Sequence, residues 1–470
     1  MKQESRSRYL IKNTVIFTIG NLGTRLISFF LVPLYTYQLT TSQFGVVDLI
    51  NTIGTMIGPI LILNINESVM RFSLDKDANR YKIISVGTLI YLTSFISGIL
   101  LLVFSNFYKP LIGYGVFVYL FTIGYAGHQL YFGYLRGKEK LVCFAVGNII
   151  TTLSIALLNI LFLLKFHWGI NGYLLAYIVS YFLTILYAVI TGGVLPDLKK
   201  WSLDPKLGKA MLKYSVLLIP NTFMWWIINS SDRVMVTSMI GSSANGIYAI
   251  SYKLPSLLQT FITIFSTAWS YSAIREMDSS DNAEFSNQVY SSLHAVAIII
   301  GLAMMFIMKP FLSVYVEESY YEAWKYTPYL IIGFVFLSLA SFLGTSYQVY
   351  KDSKGMLFSS VAAAITNLLL NLILIPMIGV SGAALATCIS YVVVFVYRAI
   401  NTQKYVKINV IDIHKLFGFI ALIAGAVCMF IESRISLFAI GVLCVANIFI
   451  YRNEWLPLAH KTLGKILKKK

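Results

Sequence analysis

The stretch IISVGTLIYLTSFISGILLLVFS, residues 83–105, decides the fold of this chain. It runs through 23 residues without a single charged side chain. A helix needs about 20 predominantly apolar residues to cross a hydrocarbon core, and a charge at its centre costs at least about 2.5 kcal/mol. Residues 83–105 therefore predict a transmembrane helix.

Similar apolar stretches follow one another along nearly the whole chain and predict fourteen membrane spans. With 57% hydrophobic and 12% charged residues, the chain is far from a soluble composition of about one quarter charged residues. The fold class is thus an all-α polytopic membrane protein with about 14 transmembrane helices. The predicted spans are residues 13–39, 44–70, 83–105, 111–135, 141–164, 169–192, 211–239, 244–272, 287–308, 326–350, 356–376, 380–400, 413–431 and 435–451.

The positive charges indicate which side of the membrane each loop faces. Of 37 Lys and Arg residues, 29 lie in the tails, in alternate loops or at the span ends beside those loops, five lie in the other loops, and three lie deep inside spans. Cytoplasmic loops carry the excess of Lys and Arg, so both termini are expected in the cytoplasm of a multi-pass cell-membrane protein. The net charge of +17 is then a topology signal, and no nucleic-acid partner is expected.

Weak internal similarity divides the chain into two halves. GINGYLLAYIVSY at 169–181 is similar to GVSGAALATCISY at 379–391, and QFGVV at 43–47 is similar to ANGIY at 244–248. Both pairs occupy corresponding spans of two six-span halves. Repeats with an even number of spans have parallel topology and are related by an axis near the membrane normal.

A short basic segment also recurs between the fourth and fifth spans of each half, as RGKEK at 136–140 and KDSKG at 351–355. We therefore predict an N-terminal six-helix lobe at 1–200 and a C-terminal six-helix lobe at 201–405. Residues 406–470 are predicted to form an additional helix pair, spans 13 and 14, and a basic cytoplasmic tail.

Three basic residues lie deep inside spans: Arg25 in span 1, Arg233 in span 7 and Lys253 in span 8. Arg25 is about twelve residues from either end of its span, too deep to reach the interface by snorkelling. Ionisable residues within membranes face a bundle interior or a water-filled cavity, so these three could line one cavity that favours an anion. Alternatively, each forms an internal salt bridge, for which Asp232 is a possible charge partner.

Other polar side chains in the spans have simpler interpretations. Asp48 and Glu67 lie near the ends of span 2, so neither predicts a deep site for a coupling cation. Tyr173, Tyr177 and Tyr181 repeat every fourth position and share one helix face. Their rings could stack on sugars or form a packed aromatic stripe.

No cofactor, metal site or nucleotide-binding loop is expected. The sequence contains no GxxxxGK[ST] motif. His128 and His294 are interpreted as hydrogen-bonded packing residues. The cysteines lie in apolar stretches without metal-ligand spacing and are interpreted as packing residues: Cys143, Cys388, Cys428 and Cys444.

The segment PLYTYQLTTSQFGVVDL at 33–49, followed by NINESVMRF at 64–72, carries a family resemblance. It resembles the opening of Wzx-type polysaccharide-unit flippases in its Pro-Leu-Tyr triplet and in its Leu-Thr, Phe-Gly, Asp-Leu and Arg-Phe pairs. These belong to the multidrug/oligosaccharidyl-lipid/polysaccharide exporter superfamily. The resemblance implies a V-shaped pair of six-helix lobes with basic residues in a central cavity, and Arg25 and Lys253 occupy comparable places.

The resemblance implies a flippase, not an enzyme, that carries undecaprenyl-pyrophosphate-linked oligosaccharide repeat units from the inner to the outer leaflet by alternating access. Capsule, exopolysaccharide or cell-wall polysaccharide synthesis would consume the product, with a polysaccharide polymerase and other export components as further partners. Arg25 and Lys253 would contact the substrate. Arg233 is a third candidate contact, which rests on its place inside span 7 and not on the resemblance.

Three alternatives remain open. A lipid II flippase fits the charges equally well, whereas a cation-coupled drug extruder would favour deep carboxylates. A membrane glycan polymerase needs a large polar loop, and the longest outer loop, roughly 309–325, is short.

Overall fold

The computed structural model describes residues 27–75, 77–275, 277, 279, 281–431, 434–452 and 454. Every predicted span coincides there with one helix or with two consecutive helices, the first span from residue 27 onward. The chain is an all-α polytopic membrane protein, as its sequence predicts. Within the described residues, nine helical segments are long and apolar enough to cross a membrane, and two shorter apolar helices follow near the C-terminus.

The helices of the first half are α1 (Val32–Gln38), α2 (Thr41–Leu61), α3 (Ile65–Ser73), α4 (Arg80–Ser97), α5 (Ile99–Phe107), α6 (Gly115–Gly137), α7 (Leu141–Ile160), α8 (Gly169–Thr191) and α9 (Val194–Leu198). Those that follow are α10 (Pro205–Val216), α11 (Ile219–Met239), α12 (Ser242–Ser251), α13 (Pro255–Arg275), α14 (Asn282–Tyr315), α15 (Thr327–Val349), α16 (Ser353–Ile378), α17 (Val380–Asn401), α18 (Ile413–Met429) and α19 (Arg434–Ile450).

Three spans are interrupted close to prolines. Pro59 lies inside α2, and the chain then leaves the helix through Leu63 and Asn64, whose φ angles are +54° and +52°. Pro220 is the second residue of α11, and Pro255 is the first of α13. Proline removes a backbone donor, and it is best tolerated in the first turn of a helix. Spans 2, 7 and 8 are therefore each built from two helices.

The described residues form two compact units. Unit 1 comprises the residues up to Trp226 together with Gly241–Gly246, and unit 2 comprises Ile227–Ile240 and the residues from Ile247 onward. The division falls inside α11 and α12. The lobe and helix-pair bounds given above, 1–200, 201–405 and 406–470, remain a prediction, since packing units and repeat units need not coincide.

Unit 1 has its core between α3, α4 and α6, where Val69, Ile84, Leu130 and Tyr134 are fully buried. The linker helix α10 joins this core because the Ser68 hydroxyl donates to the Met211 carbonyl oxygen at 2.6 Å. In unit 2, α17 packs against α15 and α16, while α14 packs against α18 and α19.

Each unit contains an ion pair that ties the segment after its fourth span to the end of its sixth, with opposite polarity. In unit 1, Lys138 Nζ lies 2.5 Å from Asp197 Oδ2. In unit 2, the order along the chain is reversed: the carboxylate, Asp352, follows the fourth span, and the lysine, Lys404, lies at the end of the sixth. Lys404 Nζ is 3.1 Å from Asp352 Oδ2. The two recurring basic segments thus anchor corresponding helix ends.

A tyrosine hydroxyl joins each of these ion pairs. Tyr134 donates to Asp197 at 2.7 Å, and Tyr405 donates to Asp352 at 2.6 Å. Hydrogen bonds from the Tyr405 hydroxyl, the Gly355 amide and Lys404 lower the pKa of Asp352 from 3.8 to about 2. The stabilisation from ionised Asp352 is therefore complete above about pH 4 and is lost as the pH falls toward 2.

We expect the Lys138–Asp197 pair to stabilise unit 1 measurably. A double-mutant cycle with Lys138→Met and Asp197→Asn should give a coupling energy of about 1–3 kcal/mol, because the two side chains are only 12% and 24% exposed. Denaturant unfolding in detergent micelles measures it. The Lys325–Glu322 pair, 46% and 47% exposed, is the matched control and should give at most about 0.5 kcal/mol. Equal couplings would contradict this account.

Candidate functional site

A buried carboxylate organises the interior of unit 2. Asp232 on α11 is 1% exposed. Its Oδ2 accepts hydrogen bonds from the Tyr248 hydroxyl at 2.6 Å and the Tyr252 hydroxyl at 2.7 Å. Tyr248 and Tyr252 are one helical turn apart, so both reach the same acceptor. The Thr387 hydroxyl donates to Oδ2 at 3.2 Å, and the Arg233 amide to Oδ1 at 2.9 Å.

Two buried asparagines extend this network along α16. The amide of Asn367 donates to the Thr387 hydroxyl at 3.3 Å, and the amide of Asn371 donates to Asn367 Oδ1 at 2.9 Å. Ser231 donates to the same Asn367 oxygen at 3.3 Å. Asn371 Oδ1 is buried and accepts no hydrogen bond from the described residues. A buried acceptor without a donor is costly, so this oxygen is suited to a bound positive charge.

The network is therefore suited to a small cation. Its ligands would be oxygens from one carboxylate, hydroxyls and amides, which are the atoms that hard cations prefer. The described residues contain no group of three or more His, Cys, Asp or Glu that could bind a metal ion. A single negative charge fits a monovalent ion better than a divalent one.

The predicted site residues fall as follows. Arg233 is half-buried, with its guanidinium carbon 4.9 Å from the centre of the Tyr252 ring. Lys253 is half-buried in the turn between α12 and α13, directly after Tyr252. Asp232 makes the hydroxyl contacts given above, and its role as a charge partner remains a prediction. Arg25 lies outside the described residues.

The tyrosine stripe on α8 is part of a packed aromatic cluster in unit 1. Tyr173 and Tyr181 are 4% and 8% exposed, and the Tyr173 and Tyr177 rings stack with their centres 4.9 Å apart. Tyr35 packs against Tyr173 at 4.7 Å, and Phe121 against Tyr181 at 5.5 Å. These contacts favour the packing interpretation over sugar stacking.

The two histidines differ in their partners. His128 lies 3.1 Å from the Thr184 hydroxyl, which agrees with a hydrogen-bonded packing role. His294 is fully buried, but neither ring nitrogen has a hydrogen-bond partner in the described part of the chain. Its interpretation as hydrogen-bonded is therefore wrong. It packs against the Phe419 ring instead, with centres 4.7 Å apart.

In unit 1, the backbones of α2 and α12 approach each other closely near the beginnings of the two helices. A side chain on Gly45 would collide with the Ser242 carbonyl oxygen, and one on Gly246 would collide with the Thr41 carbonyl oxygen. The contact is reciprocal because QFGVV and ANGIY contribute equivalent glycines. Only residues without a Cβ allow two helices to approach so closely.

Hydrogen bonds hold this crossing of α2 and α12. The hydroxyl oxygens of Thr41 and Ser243 are 2.6 Å apart. The Asn245 amide donates to the Gly45 carbonyl oxygen at 3.0 Å and to Asp48 Oδ2 at 3.4 Å. The charge pattern predicts that the loops before both helices lie on the external side of the membrane.

Comparison with known proteins identifies the family. The family model described as "Polysaccharide biosynthesis protein" matches residues 10–277, more than half of the 470 residues. The chain belongs to the polysaccharide biosynthesis protein family. The family resemblance inferred from residues 33–72 is thereby confirmed. An uncharacterized membrane protein of Methanocaldococcus jannaschii is 21% identical over 429 residues, covering 84% of this chain and 99% of the relative.

Solved structures establish the fold that this polysaccharide biosynthesis protein shares. The lipid II flippase MurJ in an inward closed conformation matches with a TM-score of 0.66 at 14% identity, covering 93% of this chain and 99% of that one. An inward-facing multidrug resistance MATE family transporter of the MOP superfamily matches with a TM-score of 0.65 at 13% identity, and the match covers 82% of this chain and 94% of the transporter. The family member therefore has the helical architecture of flippases and transporters.

Proposed function

We propose that this protein is a flippase, not an enzyme. It carries undecaprenyl-pyrophosphate-linked oligosaccharide repeat units from the inner to the outer leaflet of the cell membrane. The units would serve capsule, exopolysaccharide or cell-wall polysaccharide synthesis. The observation that carries the proposal is membership of the polysaccharide biosynthesis protein family, in a chain whose fold is shared with flippases and transporters.

The charges inside the spans support a pyrophosphate-bearing substrate. Burying an unpaired pyrophosphate costs many kcal/mol, so a path across the membrane must supply cations while the prenyl chain stays in lipid. Arg25, Lys253 and Arg233 are the basic residues that lie deep within the spans predicted from the sequence. In this proposal they contact the pyrophosphate, and alternating access exposes the glycan to each side in turn.

Arg25 provides the sharpest test of this proposal. Arg25→Ala should slow flipping roughly tenfold to a hundredfold, because a hydrogen bond to a charged group contributes about 1.5–3 kcal/mol. Arg25→Lys should be intermediate, since lysine lacks the bidentate guanidinium fork. The measurement uses proteoliposomes with a fluorescent undecaprenyl-pyrophosphate oligosaccharide and an impermeant quencher.

The control and the alternatives use the same vesicles. Lys109→Ala, which removes a cation from a predicted outer loop, should flip at the normal rate. Normal flipping by a folded Arg25→Ala protein would contradict the role of Arg25. Transport of lipid II in preference to the oligosaccharide lipid would instead favour a lipid II flippase.

Lys253 extends this test. If Arg25 and Lys253 hold one anion, alanine substitutions at both positions should be non-additive by about 0.5–3 kcal/mol in substrate binding. Additive effects, or unchanged affinity in Lys253→Ala, would make Lys253 a structural cation.

A further inference from the structure

An open cavity of about 730 Å³ lies within unit 1, between α4 and the linker helix α10. Its apolar walls are partly exposed, with Leu89 at 39% and Val216 at 43%. In water, exposed apolar surface of this kind would favour aggregation, but along a membrane span it faces lipid. The apolar residues that line it are Val86, Leu89, Ile90, Leu203, Leu212 and Val216.

Gly208 keeps this cavity open. It lies inside α10, where glycine is less favourable than alanine by about 1 kcal/mol. A Cβ built at Gly208 would have ordinary contacts of 3.8 Å with the Val86 methyl groups, so an alanine fits there. Larger side chains at this position would project into the space between α10 and α4.

The rim of the cavity is positively charged. Lys209 and Lys213 both line it and lie one helical turn apart on the same face of α10. No carboxylate among the described residues of unit 1 forms an ion pair with either lysine.

The acidic residue of the rim already has partners. Asp204 Oδ2 forms an ion pair with Lys82 Nζ at 3.2 Å. Asp204 Oδ1 caps α10 by accepting hydrogen bonds from the Lys206 and Leu207 amides at 3.1 and 3.3 Å. Its charge is therefore directed at Lys82 and the helix N-terminus. Lys209 and Lys213 are therefore the cations of the rim that would contact a bound ligand.

We propose that this cavity binds one anionic phospholipid of the cytoplasmic leaflet. An acyl chain fills the apolar groove, and the headgroup phosphate lies between Lys209 and Lys213. The charge distribution places the linker that contains α10 on the cytoplasmic side, where anionic lipids attract basic segments. A neutral or zwitterionic lipid matches the groove but not the net positive rim.

The test measures thermal stabilisation of the purified full-length protein by added lipid in detergent. Phosphatidylglycerol should raise the melting temperature in a saturable manner, and phosphatidylcholine should have a much smaller effect. Each lysine near an anionic lipid contributes about fivefold in affinity, so Lys209→Gln/Lys213→Gln should weaken phosphatidylglycerol binding about 25-fold.

Three further variants test the charge and the groove separately. Lys199→Gln/Lys206→Gln removes the same charge from the same linker outside the cavity lining, and it should bind phosphatidylglycerol normally. Gly208→Leu should lose phosphatidylglycerol binding, while Gly208→Ala, which fits the space, should retain it and shows that substitution there is tolerated.

Several results would overturn the proposal. Equal stabilisation by phosphatidylglycerol and phosphatidylcholine would leave no role for the lysine rim. Equal weakening by both double variants would make the effect one of general charge. Undecaprenyl phosphate competing more strongly than phosphatidylglycerol would assign the groove to the substrate carrier instead.

Discussion

Oxidation of a Thr41→Cys/Ser243→Cys variant is expected to stop transport completely, and a reductant should restore it. The hydroxyl oxygens of the two native residues are 2.6 Å apart, so the cysteine sulfurs would start close to bonding distance. In the predicted division into lobes, α2 belongs to the first lobe and α12 to the second, so alternating access would require the beginnings of these two helices to separate in each cycle. A covalent link between them would trap the closed crossing at Gly45 and Gly246.

The experiment requires a background without the native cysteines, which lie in or beside the spans: Cys143, Cys388, Cys428 and Cys444. Transport is measured in proteoliposomes before oxidation, after oxidation and after reduction. Each single-cysteine variant should be insensitive to the oxidant. Full transport by a protein shown to be cross-linked would mean that this crossing does not open during the cycle.

The sequence was sufficient to predict the membrane helices. Span 12, predicted at 380–400, is the helix Val380–Asn401, and span 10, predicted at 326–350, is Thr327–Val349. Length and hydropathy decide such elements because the bilayer thickness fixes how many apolar residues are needed. The break at Leu63 and Asn64 was not predicted, although Pro59 and the polar residues Asn64, Asn66 and Glu67 lie there, because the predicted span ran on to residue 70.

The polar network of unit 2 could be predicted only in part. Asp232 was recognised as a charge within a span, but as a partner for cations rather than as an acceptor for tyrosine hydroxyls. Its partners Tyr248 and Thr387 are uncharged and lie in other helices, so the hydropathy pattern does not single them out. One signal was present: Asn367 and Asn371 are four residues apart and share a helix face, which is unusual for amides in lipid.

The helix crossing shows a related limit. The similarity of QFGVV to ANGIY indicated a repeat, and the structure shows that these two segments contact each other through Gly45 and Gly246. A repeat in the sequence predicts equivalent positions, but it does not predict that equivalent positions meet. That contact depends on how the helices cross.

Asp232→Ala is expected to lower the stability of unit 2 by about 2–4 kcal/mol, because it leaves buried hydroxyl donors without their acceptor. The Tyr248 and Tyr252 hydroxyls are 3.1 Å apart and can bond to each other, which limits the loss to less than the sum of the four hydrogen bonds that Asp232 accepts. Denaturant unfolding in micelles measures the change. Asp281→Ala, the same substitution at an exposed position in unit 2, should change stability by at most about 0.5 kcal/mol.

Asp232→Asn removes the negative charge but keeps a hydrogen-bond acceptor at this position. The amide oxygen can still accept from the tyrosines, so we expect this variant to fold with a loss of only about 1–2 kcal/mol, since charge-assisted bonds are roughly twice as strong as neutral ones. It removes the carboxylate that Thr387 and Asn367 connect to Asn371. Asn371 Oδ1 is the buried oxygen of this network that accepts no hydrogen bond from the described residues. If the network takes up a monovalent cation during transport, flipping by the native protein should respond to an imposed sodium gradient. Flipping by Asp232→Asn should not, because a neutral amide attracts a cation only weakly. An unchanged gradient response in the folded variant would show that Asp232 is structural, and that any coupling resides elsewhere in the chain.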